Sequence, residues 1–321
     1  MSQGIIVVVN PASANGRTGR RWPELASKLR GQIDDFEAAF TKAPKEATSI
    51  VRAAVAAGAR HVISVGGDGT HNEVVNGLFA GGELVAEDVT LSLVPTGTGG
   101  DLRRTVGLPV SPLEAIEYVG RDPQPVDVGR LTYVAHDGQE RTDHFINIAS
   151  FGISGLVDKV VNESSKALGG KLSFLLGVAR ATFKYRNQTC RVVLDPGTPG
   201  ERHFEQALYN GVVANARYFG GGMKVAPTAL MGDGLFDVIL MGDMGLMDVL
   251  TGTGAIYKGT HLDRDKIEHY RARVITAEPV GDEEVLIDMD GEQPGRLPAS
   301  FEILPAVVRL CRGPNAEDAA I

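Results

Sequence analysis

Between residues 61 and 77 the chain reads HVISVGGDGTHNEVVNG. An apolar, β-branched run comes first, a glycine-rich turn at 66–70 follows, and an amphipathic pattern typical of a helix closes the stretch. Because glycine has no Cβ, such a turn can bring backbone N–H groups against a ligand, and the start of a helix favours an anion. Phosphate fits this description, and a tight strand-to-helix turn without a ligand is the structural alternative.

The same alternation of strands and helices extends outward on both sides. Continuous apolar strands separated by helices predict a parallel sheet that is covered on both faces. Predicted strands lie at 5–9, 35–41, 61–65 and 89–94, and predicted helices lie around 22–29, at 46–57 and at 72–79.

After about Pro125 the pattern changes to short strands joined by turn residues, which indicates antiparallel hairpins. A chain of 321 residues is long for one core, so we expect two domains, the second of them rich in β-strands. The hinge is predicted near 122–127, where Pro123 and Pro125 should break regular structure. The polar tail at 313–321 is expected to fray.

Composition restricts the possible functions. With 43% hydrophobic residues and a net charge of −8, the chain is typical of a globular protein and not of a general nucleic-acid binder. Cys190 and Cys311 belong to no metal or redox pattern, which favours buried thiols in a reducing cytosol. We see no export signal and no apolar run long enough to span a bilayer, so we expect a cytoplasmic protein whose membrane contact is peripheral.

Three loops of small residues, at 10–16, 66–70 and 95–101, follow strands of the first domain. Loops at the carboxyl ends of parallel strands share one edge of the sheet, where open α/β folds bind ligands. Asp68 lies in the second loop, and a carboxylate beside a triphosphate favours Mg²⁺-nucleotide chemistry, although an aspartate that stabilises the turn is an alternative. The arginines that could supply positive charge to a phosphoryl group are Arg17, Arg20, Arg21, Arg103 and Arg104.

Five motifs occur in an order that resembles the diacylglycerol kinase catalytic-domain family, which also includes sphingosine and ceramide kinases. They are Asn10-Pro11-x-Ser13, Gly66-Gly67-Asp68-Gly69-Thr70 with 72–77, Gly97-Thr98-x-x-Asp101 with Arg104, Asp233-Gly234-x-Phe236-Asp237, and Asp290-Gly291-Glu292. The resemblance covers nearly the whole chain, and its glycine-aspartate loop is shared with NAD kinases and phosphofructokinases.

This resemblance implies an N-terminal α/β nucleotide-binding domain with a mainly parallel sheet at 1–126, joined by a returning segment at about 296–321. It also implies a C-terminal antiparallel β-sandwich domain at 127–295. The implied catalytic residues are Glu292 and Asp290, in that order as proton acceptors, together with Asp68. The implied ATP contacts are Asn10, Pro11, Ala12, Ser13, Ala14, Thr41, Gly66, Gly67, Asp68, Gly69, Thr70, His71, Asn72, Glu73 and Thr98. An implied Mg²⁺ site uses Asp233 and the carbonyls of Leu230 and Leu235, an oxygen set that suits a hard cation.

The implied activity is an ATP- and Mg²⁺-dependent lipid kinase that phosphorylates diacylglycerol at the inner membrane surface. The sequence leaves the oligomeric state open, with a homodimer as one option. A sphingoid-base or ceramide kinase, a kinase for a soluble acceptor such as NAD, and an inactive binding module are the alternatives. The chain departs from the family pattern at Gly100 and Leu102, where Asn and Phe are usual, so an amide donor is lost. A basic, apolar helix at about 166–184, extended by Arg186, could lie on anionic lipid or could pack on the second domain.

Overall fold

The computed structural model of the chain describes residues 4–33, 35–157 and 185–317. These residues form two compact units. Unit 1 contains the residues up to Val128, the short segment Met231–Asp233 and the residues from Leu304 on, and unit 2 contains Gly129–Leu230 and Gly234–Ile303. The chain therefore leaves unit 1 and later returns to it.

Unit 1 is an α/β unit built on a parallel sheet. Its strands are β1 (Ile5–Val9), β2 (Glu37–Phe40), β3 (His61–Gly66), the short β4 (Phe79–Ala80) and β5 (Glu83–Leu84), and β6 (Thr90–Pro95). Its helices are α1 (Ser13–Arg30), α2 (Glu46–Ala56), α3 (Asp68–Gly77), α4 (Asp101–Thr105) and α5 (Pro112–Ala115), with a 3₁₀ turn at Ile116–Tyr118. The sheet runs in the order β2-β1-β3-β6, with every pair parallel, and the end of the last strand, at Arg309 and Leu310, pairs with β6.

Burial explains the continuous apolar strands of this unit. Val7, Val8 and Val9 are fully buried although their side chains alternate between the two faces, because helices cover both sides of the sheet. On one face Leu25 and Leu29 of α1 pack against Val7 and other strand residues. The predicted α/β class with a mainly parallel N-terminal sheet is confirmed.

Three details differ from the expectations drawn from the sequence. Helix α3 begins at Asp68, inside the glycine-rich stretch, and not at Asn72. The prolines at 123 and 125 do not break regular structure, because strand β7 (Pro123–Ala135) contains both. The tail is hydrogen-bonded as far as Glu317, whose N–H donates to the Thr105 carbonyl at 3.1 Å.

Unit 2 is built from antiparallel strands. They include the second part of β7, and β8 (Glu140–Phe145), β9 (Ile148–Gly152), β10 (Gln188–Leu194), β11 (Arg202–Leu208), β12 (Asn210–Ala214), β13 (Phe236–Met241), β14 (Ile267–Ala272), β15 (Val274–Pro279), β16 (Leu286–Met289) and the first part of β17 (Glu292–Cys311). Pairing runs β14-β13-β12-β9-β16-β17-β15-β10-β11. These pairs are antiparallel, which confirms the predicted antiparallel second part. Phe145, Phe151, Phe236 and Phe301 lie in its main core.

One helix of unit 2, α6 (Leu246–Lys258), lies between β13 and β14 along the chain. The predicted lipid-facing helix at 166–184 lies outside the described residues. In the described part of the chain, no helix combines the length and apolar character needed to cross a bilayer.

Candidate phosphate-binding loops and acidic turn

The three loops of small residues that the sequence predicts as a binding site lie at one edge of the unit 1 sheet. Val9 pairs with Val65 and Val65 pairs with Val94, so β1, β3 and β6 end at the same level. We call the segments that follow them loop A (10–16), loop B (66–70) and loop C (95–101). The Asn10 side chain of loop A donates to the Thr70 hydroxyl of loop B at 3.0 Å, which joins the first two loops.

Loops B and C touch through their backbones. The Gly66 carbonyl accepts hydrogen bonds from the N–H groups of Thr96 at 2.7 Å and Gly97 at 3.2 Å. A Cβ at Gly97 would lie 2.5 Å from the Gly67 Cα, where ordinary contacts begin at 3.4 Å. Glycine is therefore required here by close backbone approach, and all three loops form one continuous surface.

The amino terminus of α3 lies in loop B. The helix spans ten residues from Asp68, with Gly67 as its extended N-cap. The first N–H groups of a helix lack partners within the helix, and its dipole favours negative charge at this end. Loop B thus has the local structure of an anion-binding site.

Asp68 connects loop B to loop C. Its Oδ2 accepts the Gly100 N–H at 2.7 Å. Gly100 has φ of +66°, a left-handed conformation that glycine and asparagine tolerate best. The replacement of the family's asparagine by glycine therefore keeps the backbone shape of the loop. Leu102, at the other departure, is 1% exposed and fills a core position.

Loop A contains a left-handed turn of three residues. Ala14, Asn15 and Gly16 have φ of 52°, 56° and 76°, so the right-handed part of α1 follows them. Each non-glycine residue in this conformation costs on the order of 1–2 kcal/mol. The Gly16 N–H donates to the Ala12 carbonyl at 3.0 Å, which closes the turn.

The arginines near the loops have different partners. Arg104 donates to the carbonyls of Gly99 at 2.7 Å and Gly100 at 2.9 Å and pairs with Asp101, so it holds loop C in shape. Arg103 donates to the Leu108 carbonyl at 3.0 Å. Arg21 pairs with Glu24, while Arg17 and Arg20 are exposed on α1.

The residues after loop B are held inside the unit. The His71 Nδ1 lies 2.7 Å from the Ser64 hydroxyl, and burial lowers the pKa of this imidazole to about 4. Asn72 is 6% exposed. The Glu73 carboxylate accepts the N–H groups of Lys45 at 2.9 Å and Ala47 at 3.2 Å at the start of α2. Their side chains thus serve the fold, and their roles as ATP contacts remain predictions.

Two further predicted ATP contacts lie on other parts of unit 1. Thr41 follows β2, the neighbour of β1, and its N–H donates to the Val9 carbonyl at 2.9 Å. Thr98 is exposed in loop C. Thr41 therefore follows the carboxyl end of a sheet strand, as loops A, B and C do.

Unit 2 contains an acidic turn, defined here as residues 288–292. The Asp290 carboxylate accepts three backbone N–H groups, from Ile146 at 3.1 Å, Asn147 at 3.1 Å and Ile148 at 2.9 Å. Glu292, the first residue of β17, is exposed. Asp290 therefore anchors the turn, and Glu292 is the carboxylate that the turn presents to solvent.

Asp288 is a member of this turn that sequence reasoning missed. It is 5% exposed, accepts the Gly291 N–H at 2.9 Å, and accepts the Ser150 hydroxyl at 3.0 Å. The Ser150 hydroxyl also bonds to Ser154, which donates to Asn210. Its position in strand β16, just before the Asp290-Gly291-Glu292 motif, was the available signal.

The predicted Mg²⁺ ligands fall in both units. Asp233 belongs to unit 1, whereas Leu230 and Leu235 belong to unit 2. Among the described residues no group of three His, Cys, Asp or Glu side chains is arranged to hold a metal ion. A site built from one carboxylate and two carbonyls therefore remains a prediction.

Comparison with known proteins agrees with both units. Residues 4–131 match the family model of the diacylglycerol kinase catalytic domain, and residues 147–312 match the YegS C-terminal NAD kinase β-sandwich-like domain. The chain is 30% identical over 312 residues to “Probable lipid kinase YegS-like” of Xanthomonas euvesicatoria, covering 95% of this chain and 94% of that protein. It is 26% identical over 310 residues to “Diacylglycerol kinase” of Mycobacterium tuberculosis H37Rv, covering 96% and 94%.

A solved structure from Bacillus anthracis str. Sterne shares the fold at a TM-score of 0.78, with 25% identity and coverage of 98% of this chain and 97% of that one. The fold and the two matched domains define the class, a phosphotransferase with an alcohol group as acceptor. The chain belongs to the diacylglycerol kinase family of lipid kinases. Membership in a kinase family implies the use of ATP.

Proposed function

We propose that the protein transfers the γ-phosphoryl group of ATP to the hydroxyl group of diacylglycerol and yields phosphatidic acid. Family membership supports a lipid as the acceptor, and the names of its relatives favour diacylglycerol. The observation that carries the proposal is that loops A, B and C contact one another at one edge of the sheet. Backbone contact between Gly67 and Gly97 and the side-chain bond from Asn10 to Thr70 hold the loops together.

The loops bind and orient ATP. Backbone N–H groups at the start of α3 hold phosphate oxygens, and the helix dipole lowers the free energy of the anion there. Positioning and electrostatic stabilisation account for most of the catalysis in phosphoryl transfer, so a rigid cradle is what this reaction needs. The bond from Gly100 to Asp68 supplies that rigidity between loops B and C.

The donor atoms near the loops fit a magnesium ion. Asp68 Oδ2 is bonded to the Gly100 N–H, and among the described residues Asp68 Oδ1 accepts no hydrogen bond, so a hard carboxylate oxygen is available. The family resemblance implies a second, all-oxygen set for a structural ion, formed by Asp233 and the carbonyls of Leu230 and Leu235. When bound, Mg²⁺ offsets charge on the phosphate oxygens.

The acidic turn supplies the proton acceptor. Glu292 is our first choice because it matches the family motif and the residue is exposed. Asp290, whose oxygens accept three N–H groups, is the second choice. Asp288 is a positioning residue because it accepts the N–H of Gly291, the residue before Glu292. The lipid hydroxyl loses its proton to Glu292 as its oxygen bonds to the γ-phosphorus and ADP leaves.

The test measures ADP release with diacylglycerol, sphingosine, ceramide and NAD as separate acceptors. We expect diacylglycerol to be the best acceptor and Glu292→Gln to lower its kcat by about 100-fold or more. Asp290→Asn keeps an acceptor oxygen but also changes the turn, so circular dichroism accompanies it. The proposal is wrong if no lipid stimulates ADP release, or if NAD alone does.

Two substitutions at Asp68 separate its possible roles. Asp68→Ala removes both the charge and the bond to Gly100, and Asp68→Asn keeps an oxygen for that bond but has no charge. If charge is required near the phosphates, both variants lose about 100-fold in kcat/KM. Recovery of activity in Asp68→Asn would favour the turn-stabilising role. The matched control is Glu37→Gln, because Glu37 is an exposed acidic residue of β2.

A further inference from the structure

Helix α6 presents large apolar side chains to solvent. Leu246, Met247, Leu250 and Tyr257 are 47%, 69%, 61% and 44% exposed. They are four of the seven large apolar side chains that are exposed among the described residues. In the described chain no residue of α6 is fully buried, so burial in the core does not account for its exposed apolar side chains.

The four exposed side chains share one face of the helix. Successive residues of an α-helix are rotated by about 100°, which places all four within an arc of about 100°. Ile256 falls outside this arc and packs on a core cluster of unit 2. One side of α6 is thus docked on the protein, and the apolar face is turned away from it.

The charges of α6 indicate what this face contacts. The helix sequence has one acidic residue, Asp248, and one basic residue, Lys258. Asp248 lies outside the apolar arc, where it accepts the Gly245 N–H and the Lys266 ammonium, each at 2.9 Å. Lys258 is exposed at the border of the arc, next to Tyr257. The solvent face therefore combines apolar side chains with a cation and presents no acidic group of the helix.

This combination matches the surface of a bilayer. Apolar side chains of an interfacial helix enter the boundary between headgroups and acyl chains, while tyrosine and lysine place their polar ends among the headgroups. A second copy of the chain would bring a second Lys258, a like charge, to the contact. The proposed acceptor resides in a membrane, so the enzyme must contact a lipid surface to reach it.

We infer that the face of α6 formed by Leu246, Met247, Leu250 and Tyr257 is a membrane-contact surface that inserts into the headgroup region of a lipid bilayer. The inference rests on the proposed function and adds to it the place where the enzyme meets its substrate. Because the face is mainly apolar, binding should occur on neutral phosphatidylcholine and should increase only modestly when phosphatidylglycerol is added.

The test is co-sedimentation of the full chain with vesicles of phosphatidylcholine, with and without phosphatidylglycerol. We expect the double variant Met247→Ser, Leu250→Ser to lower vesicle affinity by about tenfold or more, because two exposed apolar side chains no longer leave water. Val280→Ser is the matched control, since Val280 is 40% exposed in the same unit but lies outside α6. Lys258→Gln should lower binding only to the vesicles that contain phosphatidylglycerol.

A second measurement separates the membrane-contact hypothesis for α6 from the proposed kinase activity. With a water-soluble, short-chain diacylglycerol, the double variant should keep its activity within about twofold, because surface substitutions away from a site are nearly neutral. Unchanged vesicle binding by the double variant would overturn the inference even if the short-chain lipid is phosphorylated. Loss of vesicle binding without phosphorylation of any lipid would instead support the surface and reject the proposed activity. A wild-type dimer that Leu250→Ser disperses would also overturn the inference.

Discussion

Replacing Gly97 by alanine tests whether the contact between loops B and C is required. The added Cβ would lie 2.5 Å from the Gly67 Cα and 3.4 Å from its nitrogen, whereas ordinary contacts begin at 3.4 Å. The obstacle is backbone, which cannot turn away as a side chain can, so the loops must separate by close to an ångström. Displacement on this scale costs about 100-fold in activity, and overpacking costs about 1–3 kcal/mol of stability.

The assay measures kcat/KM from ADP release with diacylglycerol, ATP affinity by calorimetry and the free energy of unfolding in urea. Gly67→Ala is the graded variant, because its Cβ would lie 3.3 Å from the Gly97 Cα and should cost far less. Gly200→Ala is the control, since its nearest neighbour would lie 3.6 Å away. A folded Gly97→Ala protein with unchanged ATP affinity and kcat/KM would refute the role we assign to the contact between the loops.

Three further predictions follow from the described contacts. Burial lowers the pKa of His71 to about 4 from its ordinary 6.5, so between these pH values the folded state binds fewer protons than the unfolded state. The free energy of unfolding should therefore fall by about 2 kcal/mol from pH 7 to pH 5 through this residue. A His71→Gln protein whose stability changes equally with pH would contradict this. Gly100→Asn should fold and keep activity because asparagine tolerates φ of +66°, while Gly100→Val should lose about 1–2 kcal/mol in urea unfolding; equal stability of the two would show that the conformation is not required. Removing residues 313–321 deletes the bonds from Gly313 N–H to the Val106 carbonyl at 2.8 Å and from Glu317 to Thr105, so thermal unfolding should occur several degrees lower and ATP affinity should fall; an unchanged melting temperature would restore the expectation of a frayed tail.

The candidate site was predictable from sequence to the extent that its chemistry is local. The glycines of loop B lie between an apolar strand and a helix. They predict that another group approaches the backbone closely there, and this prediction does not depend on the rest of the fold. The start of α3 was misplaced because the turn glycines, weak helix formers, also lie in the first turn of the helix. Pro123 does not break regular structure because proline is compatible with the start of a strand.

Roles that depend on distant partners could not be predicted. Asp290 and Glu292 are separated by one residue, yet one is held by the N–H groups of residues 146–148 and the other is exposed. The Asp68 bond to Gly100 joins residues that are far apart in the chain. The apolar face of α6 could have been taken for a core face, since periodicity shows that residues share a side but not what that side contacts.

The amino-acid sequence alone determined the alternation of strands and helices, the glycine positions and the family motifs, because these depend on side-chain period and on backbone freedom over a few residues. Only the tertiary structure decided which glycines meet, which carboxylate is held by N–H groups of a distant segment, and which apolar face is exposed to water. Those outcomes depend on contacts between segments distant in sequence, and such contacts form only when the whole chain packs.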